Sequence, residues 1–244
     1  MLLFTLFSEQ VIIDNIESGK CNDLHAIFKE AVSGNKISIV THLLKKSWER
    51  FAPLDDDVQL KIVRENYVEI FELLRNANIL RFDMYSFIPE LPIPGMPYNM
   101  LQYASFLGHI EIVGILLNHG VIDPGANRNN AIQLASRKGH CAIVNLLLGH
   151  GKVDPSDWDN YAIRLAIDNN HLDVVRLLAS KIDISTLPNE YREKILIMGL
   201  SKKDIVESNK SIKEKIKQLI DESDPQMRIE EQNGKKYACF IFEL

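Results

Sequence analysis

Three segments of this chain say nearly the same thing. They read NMLQYASFLGHIEIVGILL from Asn99, NAIQLASRKGHCAIVNLLL from Asn130 and YAIRLAIDNNHLDVVRLLA from Tyr161. Ala104, Ala135 and Ala166 are spaced by 31 residues, and so are His109, His140 and His171. Self-similarity at a fixed short period marks a stacked-repeat architecture, and it constrains this chain more than any other feature.

The pattern inside one copy gives the unit. Ile132, Leu134 and Ala135 share one side of a short helix, Lys138 and Gly139 break the pattern, and Ile143, Val144, Leu147 and Leu148 follow as the apolar stripe of a second helix. Each unit is therefore two short antiparallel helices and a turn. One pair cannot bury its own apolar faces, so neighbours must stack to make a continuous core. Ala135 suits close packing of the first helices, and Gly139 suits the left-handed residue that ends a helix.

These residues resemble the ankyrin repeat, whose unit reads roughly T-P-L-H-x-A-A-x-x-G-H-x-E-V-V-x-L-L-L. The anchors recur three times in phase, with departures that give the chain the look of a divergent microbial or viral member. No copy keeps the opening Thr-Pro, and Gln102, Gln133 and Arg164 stand at the family's His. The period is about two residues shorter than is typical. The shortfall falls after Asp123-Pro124 and Asp154-Pro155, where stunted turn tips are expected.

Traced backwards, the Gly/Asn anchor sits at Asn35, Asn66, Gly108, Gly139 and Asn170. Asn adopts the left-handed geometry more readily than other side chains. The expectation is an all-α solenoid of about five helix pairs over residues 21–184, two of them degenerate. Residues 1–20 would cap it, with Val11, Ile12, Ile13 and Ile16 on the capping helix. Glu69, Glu111 and Asp173 fall in the first turns of second helices, where negative charge suits the dipole.

One gap between anchors is 11 residues longer than the others. This insertion, about residues 79–98, carries Pro89, Pro92, Pro94 and Pro97 with Phe82, Tyr85, Phe87 and Tyr98. Prolines this dense exclude a regular helix. It reads either as a functional loop or as a strap whose aromatics fill a gap in the stack. Beyond the array, residues 185–244 read as two helices over 188–200 and 202–220. A β-hairpin follows, turning at Asn233-Gly234 and expected to fold back onto those helices.

Composition then narrows the function. A net charge of −5 without a clustered basic face argues against nucleic acid. Cys21, Cys141 and Cys239 are too few and too scattered for a disulfide framework, which places the chain in a reducing cytoplasm, a host cell's if it comes from a pathogen. MLLFTLF lacks a basic start and a cleavage site, so it is not read as a signal peptide. No apolar run reaches the ~20 residues of a membrane span. No phosphate loop, nucleophile elbow or zinc-protease motif is present, so no enzyme, small-molecule substrate or cofactor is expected. His109, His140 and His171 recur once per repeat, and helices packed about 8–10 Å apart would hold them too far apart for a zinc site needing nitrogens at about 2.0–2.1 Å. A structural role at the start of the second helix follows. Cys21 and His25 have the spacing of a helical ligand pair, but no second pair accompanies them.

What remains is surface. In the family resembled, protein partners dock on the concave face of first helices and turn tips. By position the resemblance makes the exposed pairs Ser33 and Gly34, Arg64 and Glu65, Phe106 and Leu107, Arg137 and Lys138, and Asp168 and Asn169, running apolar, basic, then acidic or polar along repeats three to five. Trp158, between Asp157 and Asp159, stands with Tyr161 on the last turn. The expected partner-binding residues are Phe106, Leu107, Arg137, Lys138, Trp158 and Tyr161, with packing between repeats as the other reading of Trp158. The resulting expectation is a non-enzymatic scaffold for an unidentified protein partner. The alternative is a substrate adaptor for ubiquitin ligation. Leu187-Pro188-Asn189-Glu190, Ile195-Leu196, Leu200 and Lys203-Asp204 resemble the F-box signature L-P-x-E-x-x-x-x-I-L-x-x-L-x-x-K-D, with one extra residue before Leu200. A degenerate sixth repeat or cap would explain the same residues.

Overall fold

The computed structural model describes residues 7–21, 23–47, 54–82, 86–88, 91–92, 97–198, 227–232 and 235–240. Tyr85, the side chain of Phe87, the helix expected over 202–220 and the Asn233-Gly234 turn lie outside them.

The chain is an all-α repeat fold, with two small two-stranded sheets among the described residues. Helix α1 (Glu9–Glu17) precedes five helix pairs. These are α2 (Leu24–Ser33) with α3 (Ile37–Ser47), α4 (Asp56–Arg64) with α5 (Val68–Asn76), α6 (Met100–Leu107) with α7 (Ile110–His119), α8 (Ala126–Lys138) with α9 (Cys141–Gly149), and α10 (Asp157–Asp168) with α11 (Leu172–Ala179). Helix α12 (Asn189–Ile197) follows, then β3 (Met227–Gln232) and β4 (Lys235–Phe240), an antiparallel pair in the expected hairpin register.

All five anchors are left-handed, with φ of 54° at Asn35, 53° at Asn66, 90° at Gly108, 78° at Gly139 and 58° at Asn170. That geometry ends each first helix and turns the chain into the second, which is why Gly and Asn alternate in one slot.

The fold divides into two compact units. The first comprises residues up to Ala104 together with His109–Ile122. Within it α2 packs on α4, α3 on α5 and α5 on α7, like against like, which is the stacked register the repeat demands. Helix α1 covers α3 with Ile12 and Ile16 buried, while Val11 is exposed. Ser8 caps α1 by accepting from the Val11 amide, and Glu9 bonds Ser38. The insertion belongs to this unit. Its β1 (Ser86–Phe87) pairs antiparallel with β2 (Pro97–Tyr98), a sheet the prolines had concealed. Pro97 stands first in its strand, a position where a missing N–H is tolerated. Ile88, Leu91 and Tyr98 are buried. Phe82 lies edge-on to Phe71 at 6.4 Å and stacks on His119 at 4.3 Å. These contacts support the strap reading.

The second unit comprises Ser105–Gly108 and the chain from Asp123 onward. Here α8 packs on α10, α9 on α11 and α10 on α12. Ala131, Ile132, Leu134 and Ala135 of α8 are buried, as are Ile143, Val144 and Leu147 of α9. Among the described residues 120–160 no strand forms, so the tips are short, as the shortened period implies.

Candidate interaction surface

The first helices of the fourth and fifth pairs open in an unusual way. Asn127, Arg128 and Asn129 have φ/ψ of 54/47°, 58/50° and 59/36°, which is one turn of left-handed helix. One period on, Trp158, Asp159 and Asn160 repeat it at 52/51°, 55/47° and 58/39°. L-residues pay roughly 1–2 kcal/mol each for this geometry, and Asn and Asp tolerate it best. Four of the six residues are Asn or Asp, which explains where the turn can form. This turn comes immediately before Asn130-Ala131 and Tyr161-Ala162, the positions where the family's Thr-Pro opening is missing.

Polar side chains hold the turn. Gln133 donates to the Arg128 carbonyl at 2.5 Å, and Arg164 reaches the Asp159 carbonyl at 3.5 Å. These are the residues standing at the family's His, so the substitution and the turn go together. Gln102 serves a related end in α6. Its carbonyl accepts from the Asn99 amide at 3.1 Å, while the Asn99 side chain accepts from the Gln102 amide at 2.9 Å, a reciprocal cap. Asn129 then reaches into the following tip. It accepts from the Asp154 amide at 2.9 Å and donates to the Asp157 carboxylate at 2.7 Å. Asn160 donates to Thr186 at 3.0 Å.

The histidines tie each pair to the one before. His109 lies 3.1 Å from the Arg64 carbonyl, His140 3.1 Å from that of Phe106, and His171 2.9 Å from that of Arg137. A carbonyl only accepts, so Nε2 carries the proton in each. A Cβ on Gly108 would come within 2.6 Å of the His140 ring, and one on Gly139 within 2.6 Å of His171. The Gly-His pair is thus a spatial as well as a conformational device. Among the described residues, no three His, Cys, Asp or Glu side chains gather as a metal site. The helical ligand pair of Cys21 and His25 is corrected, because Asp23 caps α2 and Cys21 precedes the helix. Burial, with Asp173 nearby, pushes the Cys141 thiol up and keeps it protonated.

The six expected partner-binding residues fall in two groups. Lys138 places its ammonium 4.5 Å from the Phe106 ring, beside Arg137 and Leu107. Trp158 and Tyr161 form the second, with ring centroids 4.5 Å apart. Trp158 is 45% exposed, which separates it from the core aromatics. Cations that the sequence does not place beside it surround it. Arg128 lies 5.9 Å over Trp158, and Arg164 lies 5.4 Å from both Tyr161 and Tyr191. Lys194 lies 4.8 Å over Tyr191 and bonds Glu190 at 2.7 Å and Asp168 at 3.1 Å, bonds that hold its ammonium far above the ordinary lysine range. Tyr191 also donates to Asp168 at 3.0 Å. The i,i+3 spacing of Tyr161 and Arg164 was the available signal; the contribution of α12 had none.

A family model described as ankyrin repeats in three copies matches residues 61–157 and 101–187, together more than half of the chain. Comparison with curated proteins gives no match. Among the described residues, no helix is long and apolar enough to cross a membrane.

Proposed function

Since this chain belongs to the ankyrin-repeat family, whose members are generally protein–protein interaction modules, we propose that it binds a partner protein through the face bearing Phe106, Leu107, Arg137, Lys138, Trp158 and Tyr161. The observation that carries this is Trp158. It is a large aromatic held at φ 52° and nearly half exposed. A bulky residue there costs conformational energy and gives back little core burial, and such strain gathers at functional positions. Trp, Tyr and Arg are also the residues that dominate binding energy once desolvated. The residues of this face lie within the array expected over residues 21–184. The test is affinity capture from native lysate with the wild-type chain and with a Phe106→Ala/Lys138→Ala/Trp158→Ala variant. Proteins held by the wild type and lost from a folded variant support the face; equal capture by both removes it.

A second reading rests on α12. It begins at the Leu187-Pro188-Asn189-Glu190 motif and presents Leu196 and Ile197, 69% and 84% exposed. An adaptor for ubiquitin ligation would offer such an apolar pair to a Skp-type linker protein. Buried Leu187 and the Tyr191–Asp168 bond favour a cap instead. Co-elution of the chain with purified linker protein on size exclusion decides between them.

A further inference from the structure

Helix α8 carries Arg128, Arg137 and Lys138 and no acidic residue. Among the described residues, none of the three is paired with a carboxylate. Two carboxylates of the neighbouring pair are already engaged. Asp157 accepts from Asn129 at 2.7 Å, and Asp168 accepts from Tyr191 and Lys194.

Two of the cations rest on aromatic rings instead. Lys138 lies over Phe106 of the preceding pair, and Arg128 over Trp158 of the following one. A ring face attracts a cation without consuming its N–H donors. A stacked guanidinium keeps the planar fork that meets a carboxylate with two parallel bonds. Long cationic side chains lose rotamer freedom on binding, and holding them beforehand reduces that cost.

Resting on the binding face proposed above, we infer that its partner presents an extended acidic peptide segment to α8. One carboxylate meets Arg128 and a second meets Lys138 and Arg137. Arg128 and Lys138 are ten residues apart. They sit at opposite ends of α8, Arg128 in its left-handed opening turn and Lys138 in its last turn, and they lean toward opposite neighbours. The segment therefore carries two acidic residues set apart from one another, with neutral residues between. A nucleic-acid strand fits worse, because its closely spaced phosphates would also face the exposed Asp159 beside Trp158.

The test is panning a displayed library of random twelve-residue peptides on the full-length chain. The expected winners carry at least two Asp or Glu separated by neutral residues. A synthetic winner should lose affinity about tenfold or more on Arg128→Gln/Lys138→Gln, and as much when its own Glu become Gln. Raising salt from about 50 to 300 mM should weaken wild-type binding by about tenfold, a readout that needs no variant. Winners without the acidic pattern, winners indifferent to the double variant and to salt, or no winners at all would overturn the inference. Tighter binding of a twelve-nucleotide single-stranded DNA would overturn it too. Neutral winners that depend on Trp158 would sink the acidic partner alone; winners that ignore both Trp158 and α8 would sink the binding face as well.

Discussion

Asn129 donates its side-chain amide to the carboxylate of Asp157, 28 residues further along the chain, at 2.7 Å. Its carbonyl accepts from the Asp154 amide at 2.9 Å, so one buried side chain fixes both ends of the next turn tip. Asn129→Ala leaves those groups unpaired and should cost about 1–3 kcal/mol. Asn129→Asp should cost about 1 kcal/mol more at pH 7, since it sets a second carboxylate against Asp157. Urea melts of both variants at pH 7 measure the two losses. Equal losses at pH 7 would mean the Asn129–Asp157 bond does not govern the tip.

Gly139 sits at φ 78° with the His171 ring where a Cβ would be. Gly139→Ala must strain the backbone and displace a ring bonded to the Arg137 carbonyl. A loss of about 2 kcal/mol or more is expected, the left-handed term alone supplying 1–2. Thermal melting checks it, and an unchanged midpoint would contradict the proposed ladder of histidines.

Much of this architecture was legible in the sequence, because stacking forces the same residue types into the same slots. The anchors from Asn35 to Asn170 predicted five left-handed turns, and all five are present. The 31-residue spacing of the histidines pointed to a structural role, and their carbonyl partners supply it. The left-handed openings were not legible. Nothing in a hydrophobic period distinguishes Asn127–Asn129 from an ordinary turn, and the tripeptides NRN and WDN share only their last residue. The β1–β2 pair escaped for a similar reason, since two-residue strands leave no alternation to read. The cations around Trp158 and Tyr191 come from three separate helices, and only packing brings them together.

Ala135 is fully buried where α8 packs on its neighbours in the stack. Ala135→Leu should overpack that contact and cost about 1–3 kcal/mol. Denaturant unfolding measures the loss. No loss would place the α8 stripe in a different register from the one described.

His150 follows α9, and burial lowers its pKa, with Lys152 adding to the effect and Asp123 opposing it. A lowered pKa means the unfolded chain takes up the proton first, so stability falls as pH drops below about 6.5, the ordinary histidine value. Above that pH both states are neutral there and the contribution is full. The melting midpoint of the wild type should therefore fall more steeply between pH 7.5 and 5.5 than that of His150→Gln. Parallel curves would remove His150 from the pH response.

The central claim is that Trp158 serves binding and not the fold. Trp158→Ala, followed by thermal melting and by titration against a captured partner, tests it most directly. The expected melting midpoint lies within about 2 °C of wild type, a shift below about 1 kcal/mol. The expected affinity loss is about 2 kcal/mol, roughly thirtyfold. A variant that unfolds the array, or that folds normally and binds its partner at full strength, would contradict it.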